Sequence, residues 1–174
     1  MKALIVVDMQ NDFVMGNLGT PEARAIVPKI KAKIKEEHHQ SVDKIIFTQD
    51  SHHLQDWSSP VGKIEMNKVP PHCIKGTPGW CIVDALFPFA NNVITKDNFG
   101  CFNWNCIDPN LFTSIEIVGV CTDICVISNA LILRALFPET RIIVDASCCA
   151  GTTPENHKAA LEVMKSCCIE VINE

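Results

Sequence analysis

Ile115-Glu116-Ile117-Val118-Gly119-Val120-Cys121-Thr122-Asp123-Ile124-Cys125-Val126 decides the fold, because an apolar, β-branched run passes directly into a helical pattern that reaches about Leu136. A strand feeding a helix with almost no loop is the elementary unit of a parallel sheet. Working outward, further short runs of the same kind stand at Ala3–Val7, Lys44–Thr48, Asn92–Thr95, Arg141–Val144 and Cys168–Ile172, which makes six expected strands. Helical patterns lie between them: Pro21 to about Glu37, a short one near Gly79–Phe87, and Pro154 to about Ser166. Pro21 and Pro154 suit first-turn positions. The alternation predicts an α/β three-layer sandwich, a six-stranded and mostly parallel sheet covered by helices on both faces.

With 174 residues, 47% of them hydrophobic and 20% charged, the chain has the size and composition of one globular domain spanning 1–174. The net charge of −5 and the scattering of Lys29, Lys31, Lys33 and Lys35 among Glu36 and Glu37 argue against a nucleic-acid partner. The apolar run before Asp8 is too short for a secretion signal or a membrane span, so a cytoplasmic protein is expected. Its ten cysteines, two pairs of them adjacent (Cys148/Cys149 and Cys167/Cys168), then read as reduced thiols serving mostly as small hydrophobes.

In an open parallel sheet, ligands gather outside the carboxyl ends of the strands. Asp8 ends the first strand run, Asp50 follows the second, Lys96 ends the third, and Cys125 opens the helix after the fourth. Taken singly, Asp8 reads equally as a cap on the following loop, Lys96 as an ordinary strand-edge lysine, and Cys125 as packing. Their convergence on one rim carries the case. A helix start favours a thiolate, and its free N–H groups can also receive an oxyanion.

The stretch from about 50 to 78 shows no sustained period, and long ordered loops in compact domains are usually functional. It carries Asp50-x-His52, then Glu65, then His72 behind Pro70-Pro71, donors that suit Zn, Mn or Fe(II). Solvent-facing histidines are the competing reading, and His53 is the clearest case for it.

These landmarks resemble the nicotinamidases/pyrazinamidases within the isochorismatase-like cysteine hydrolases. The resemblance runs from Leu4 to about His157 through Val6-Val7-Asp8-Met9-Gln10-Asn11-Asp12-Phe13, Thr48-Gln49-Asp50-Ser51-His52, Pro70-Pro71-His72-Cys73-Ile74-Lys75-Gly76-Thr77, Lys96 with Phe99, and Gly119 to Val126. It implies Asp8, Lys96 and Cys125 as catalytic triad, and Asp50, His52 and His72, joined by Glu65 as in some members, as ligands of one divalent metal ion, zinc first, manganese or iron otherwise. It implies a cis peptide before Cys121, the amides of Cys121 and Cys125 as oxyanion donors, and Phe13, Phe99 and Trp57 around the substrate ring. The implied reaction is hydrolysis of nicotinamide to nicotinate and ammonia through a cysteine thioester, in NAD salvage. A small-molecule substrate and no membrane partner are expected, with a homo-oligomer left open.

Two rivals share parts of this pattern. A metal-free hydrolase of the same fold would act on another small amide, and a non-catalytic redox or binding module would use the thiols alone. The segment after Lys96 also departs from the family in placing a second thiol, Cys101, near the site.

Overall fold

The β-branched runs assemble into one sheet of six strands: β1 (Lys2–Val7), β2 (Lys44–Asp50), β3 (Val93–Lys96), β4 (Ser114–Val120), β5 (Arg141–Ala150) and β6 (Glu170–Ile172). The structure, a computed structural model, describes residues 1–40, 44–58, 64–108 and 110–174. The strand order is β3-β2-β1-β4-β5-β6, and all five pairings are parallel. Winding outward from β1 in one direction and from β4 in the other leaves a topological switch between those two strands, where an α/β sheet opens a crevice at its carboxyl edge.

Among the described residues four α-helices accompany the sheet: a single turn α1 (Asn11–Val14), then α2 (Pro21–Gln40), α3 (Ile127–Leu136) and α4 (Pro154–Ser166). Strand side chains alternate between two cores. Leu4, Val6, Phe47 and Val118 pack with Ile26, Ile30 and Ile34 of α2. Ala3, Ile5, Ile115 and Ile117 pack with Ala130 and Leu133 of α3 and with Leu161 and Met164 of α4. The three-layer expectation is therefore met. Thr153 caps α4 by accepting a hydrogen bond from Asn156 N–H at 3.1 Å, with Pro154 in the first turn as expected.

Some boundaries differ from expectation. No α-helix forms near Gly79–Phe87; two short 3-10 turns, Pro78–Trp80 and Phe87–Phe89, stand at either end, and Ile82 between them bridges to Gln10. Gly79 and Pro88 both oppose a continuous helix there. Strand β5 runs six residues beyond Val144, through Asp145-Ala146-Ser147-Cys148-Cys149-Ala150, although only small and polar residues follow. Its pairing with Gly119 and Val120, past an irregularity in β4, overrides the weak local preference. Within the long loop, Leu54–Trp57 and Ile64–Asn67 form 3-10 turns and His52 bridges to Ile74, while residues 59–63 of the expected 50–78 span lie outside the described residues.

Gly119, in register with Val7, has φ +122°, and a Cβ placed on it would stand 2.2 Å from the Val7 carbonyl oxygen. Only a residue without a side chain lets β4 approach β1 this closely at the switch point.

Candidate active site

Asp8, the residue after β1, has φ +48° and is wholly buried. Its Oδ1 accepts a 2.6 Å hydrogen bond from the Thr48 hydroxyl, which in turn accepts from the Asp8 N–H at 3.2 Å. Its Oδ2 lies 2.7 Å from Lys96 Nζ. The Lys96 ammonium, at the end of β3, also reaches the Asn98 carbonyl at 3.0 Å, Asp50 Oδ1 at 3.2 Å and Cys125 Sγ at 3.6 Å. The carboxylate, amine and thiol expected from three separate segments are thus brought within contact of one another across the β1–β4 switch.

Electrostatics in this cluster are dominated by burial. Desolvation raises the Asp8 carboxyl above its ordinary value against the pull of Lys96. Burial also disfavours the Lys96 ammonium, but Asp8, Cys125 and Asp50 outweigh it and hold that group well above its usual value. The Cys125 thiol is pushed well up by burial, with Asp8 and Asp50 adding to the effect and Lys96 opposing it. The helix start, which favours a thiolate, works against that burial.

The turn that presents Cys125 is π-helical, Thr122–Val126, and the Val120–Cys121 peptide that enters it is cis, as the resemblance implied. Buried Thr122 is tied through its hydroxyl to His157 Nδ1 of α4 at 2.8 Å, and Asp123 accepts from the Thr152 N–H at 2.8 Å. The turn is therefore anchored to α4 and its approach from both positions.

Beside this cluster, Asp50, His52, Glu65 and His72 each offer one donor atom, all within 4.8 Å of one another. His52 Nε2 lies 2.8 Å from Asp50 Oδ2, and His72 Nε2 lies 3.5 Å from the same oxygen and 3.6 Å from Glu65 Oε1. His72 Nδ1 stands 2.9 Å from the Pro70 carbonyl, so a proton on that nitrogen leaves Nε2 with a free lone pair facing the cluster. Without an ion, burial lowers the proton affinity of His72, yet Asp50 and Glu65 outweigh it and carry its pKa up to about 10, so a bound cation would take the place of the Nε2 proton. Two carboxylates and two imidazoles crowded this closely attract a cation, and the donor set fits a divalent ion such as zinc. Asp50 belongs to both groups, one oxygen turned to Lys96 and the other to the histidines.

A cavity of about 400 Å³ opens over both clusters, lined by Phe13, Phe99, Cys121, Ile124, Cys125 and His72 among others. Its walls are largely apolar, a small-molecule site with few polar groups at its base. Trp57 takes another place: its ring stands edge-on to His52 and His72, with centroids 5.5 and 5.6 Å away, and its Nε1 donates to the Val69 carbonyl. Cys101 contributes its backbone, donating from N–H to Asn129 Oδ1 at 2.8 Å.

Several supporting residues escaped the sequence reading. Gln10 clamps the main chain of Asp50, accepting from its N–H at 2.7 Å and donating to its carbonyl at 2.9 Å. Thr48 and Asn129 are fully buried and polar. The available signal was an amide or hydroxyl inside an apolar strand or helix pattern, which a buried site must satisfy.

A doubly wound sandwich that presents a thiol, a carboxylate and an amine at the foot of an apolar cavity has the build of a small-molecule hydrolase. Residues 2–174 match the isochorismatase domain family, and the chain belongs to it, as a hydrolase of that family. It is 28% identical to the nicotinamidase/pyrazinamidase of Mycobacterium tuberculosis, over 99% of this chain and 98% of that one. The crystal structure of nicotinamidase/pyrazinamidase PncA from Bacillus subtilis superposes with a TM-score of 0.84 at 28% identity, covering 99% of both chains. That of Pyrococcus horikoshii pyrazinamidase in complex with zinc gives 0.82 at 31% identity, again over 99% of both chains. Among the described residues no helix is long and apolar enough to cross a membrane.

Proposed function

We propose that the protein hydrolyses nicotinamide to nicotinate and ammonia, within NAD salvage, through a thioester on Cys125. The observation that carries this is the contact of Lys96 Nζ with both Asp8 Oδ2, at 2.7 Å, and Cys125 Sγ, at 3.6 Å, directly beneath the cavity.

In the first half-reaction Asp8, its proton affinity raised by burial, takes the thiol proton, and the Lys96 ammonium between them stabilises the thiolate as it forms. The sulfur attacks the carboxamide carbon, and the backbone amides of Cys121 and Cys125 receive the developing oxyanion. The carbon–nitrogen bond breaks, the proton held by Asp8 passes to the leaving nitrogen, and ammonia departs. In the second half Asp8 deprotonates water, which adds to the thioester; the carbon–sulfur bond breaks, nicotinate leaves and Cys125 regains its proton. Phe13 and Phe99 line the cavity where the ring would lie, and its largely apolar walls suit an aromatic ring.

Asp50, His52, His72 and Glu65 would hold one divalent ion, with zinc the assignment that the donor set and the zinc-bound relative favour, and manganese or iron(II) the alternatives. Bound there, the ion supplies a Lewis-acidic anchor for the pyridine nitrogen. The Asp50 carboxylate turns its other oxygen to Lys96, so the same residue would fix the ring's mooring relative to the reacting groups.

The test pairs elemental analysis with an ammonia-release assay on nicotinamide. The expected result is about one divalent ion per chain and turnover that falls by about 10⁴-fold or more in Cys125→Ala with an unchanged circular dichroism spectrum. Turnover of another small amide by metal-free protein, with none of nicotinamide, would replace this reading with the metal-independent one.

A further inference from the structure

Asn129 lies one turn beyond Cys125 in α3 and is wholly buried. An asparagine is a poor choice for a helix interior, and a buried one must satisfy two donors and an acceptor. Here the amide is spent entirely on the main chain of two other parts of the site. Its Nδ2 donates to the Cys125 carbonyl at 2.7 Å and to the Phe99 carbonyl at 3.3 Å, while its Oδ1 accepts from the Cys101 N–H. The segment it grips, Phe99 to Cys101, follows directly on Lys96 and Asn98, and Asn98 offers the carbonyl that the Lys96 ammonium uses at 3.0 Å. One side chain therefore joins the backbone of the thiol-bearing turn to the backbone that carries the amine and the cavity's Phe99.

We propose that Asn129 is a positioning residue for the reaction, holding the Cys125 turn at its working distance from Lys96 by bonding the Cys125 carbonyl to the Phe99–Cys101 segment. This rests on the proposed role of Cys125 as nucleophile. Asn129 touches neither the sulfur nor the substrate cavity in any contact described; its effect passes through the main chain of Cys125. The bond to the Cys125 carbonyl is the shorter of its two donations and reaches four residues back, from α3 into the π-helical turn that leads into it, so another side chain can be asked to make it. A threonine hydroxyl in a helix reaches the carbonyl four residues back, whereas valine has the same shape and no donor.

The experiment compares wild type, Asn129→Thr and Asn129→Val. With nicotinamide as substrate, kcat is expected to fall about 30-fold in the Val variant, as a small displacement of a reacting group does, and to recover most of that loss in the Thr variant, with bound metal equal in all three. A purely structural role would lower the melting temperature of both variants and leave the kcat of the folded enzyme alike in the two. In parallel, the three proteins are alkylated with iodoacetamide and Cys125 is followed by peptide mass spectrometry, with exposed Cys167 and Cys168 as internal references. That measurement needs no turnover, so wild-type protein inert toward nicotinamide would sink the substrate reading and leave this one to be decided by the thiol. A Cys125 alkylation rate that differs between Val and Thr variants by about ten-fold or more upholds the proposal; equal rates, or wild-type kcat in the Val variant, overturn it. If the Val variant does not fold, Asn129→Asp, which keeps the acceptor for Cys101 and loses both donors, stands in its place under the same criteria.

Discussion

The behaviour of Asp8 turns on a neighbour with no charge of its own. Thr48 is buried on β2, accepts from the Asp8 N–H and donates to its Oδ1, so one carboxylate oxygen is pinned and the other is left to Lys96. Thr48→Val keeps the shape and removes that donor. A hydrogen bond to a charged group is worth about 1.5–3 kcal/mol, and the expected outcome is a fall in kcat of about tenfold or more, with metal content unchanged. Steady-state kinetics that match wild type would show that Lys96 alone orients the acid. The three chemical groups at 8, 96 and 125 could be read from the chain because each ends or follows an apolar run. Thr48, Gln10 and Asn129 could not be, since their value lies in partners 28 to 40 positions away and nothing in local pattern marks an asparagine as a cross-link rather than a poor helix former.

Among elements, the described parts of the loop that follows β2 bring their charged side chains to the end of that strand. Asp50, His52, Glu65 and His72 converge within it, and Trp57 and Phe13 pack their rings against the histidines. His72→Ala removes a donor and leaves Asp50 and Glu65 facing one another with one fewer partner. Its expected outcome is metal content well below one ion per chain by elemental analysis and a KM for nicotinamide raised by about tenfold or more, the scale on which lost ligands and their supports act. Wild-type metal content in that variant would separate His72 from the site. Strand and helix positions followed from β-branched runs and first-turn prolines; near Gly79–Phe87 the expected helix fails on Gly79 and Pro88, and at the long end of β5 tertiary pairing acts against weak local preference. The burial of the thiol, which opposes the pull of a helix start toward a thiolate, also had to come from three dimensions.

On the scale of the whole molecule, the face of the sheet covered by α2 carries a buried ionic cluster distant in role from the cavity. Lys33 of α2 meets Glu116 of β4 at 2.5 Å and Asp145 of β5 at 2.8 Å, and Lys2 of β1 meets Glu116 at 3.0 Å. Burial works to raise the Asp145 carboxyl, but Lys33 and Ser147 outweigh it and hold its pKa below the ordinary value. A depressed carboxyl stabilises the fold above its unfolded pKa, about 3.9, and that contribution is lost as pH falls through the lower folded value. Burial likewise lowers Lys33, and the two carboxylates overcome it and raise the group, so its share is present below about 10.4 and lost as pH climbs through the higher folded value. Lys33→Met should cost about 3 kcal/mol at neutral pH by taking the cation from buried Asp145 and leaving Glu116 to Lys2, and the deficit should shrink in urea melts at about pH 3, where the Asp145 carboxyl can protonate. A deficit independent of pH would mean the lysine contributes by packing alone. The close approach at Gly119 has a wider consequence. The strands it lets touch are the ones that deliver Asp8 and the Cys121–Cys125 turn, so a bare α-carbon acts as the spacer gauge of the proposed catalytic machinery. One methyl group added there would wedge the two halves of the sheet apart at the seam where they must meet, disarming the enzyme without altering any group that does chemistry.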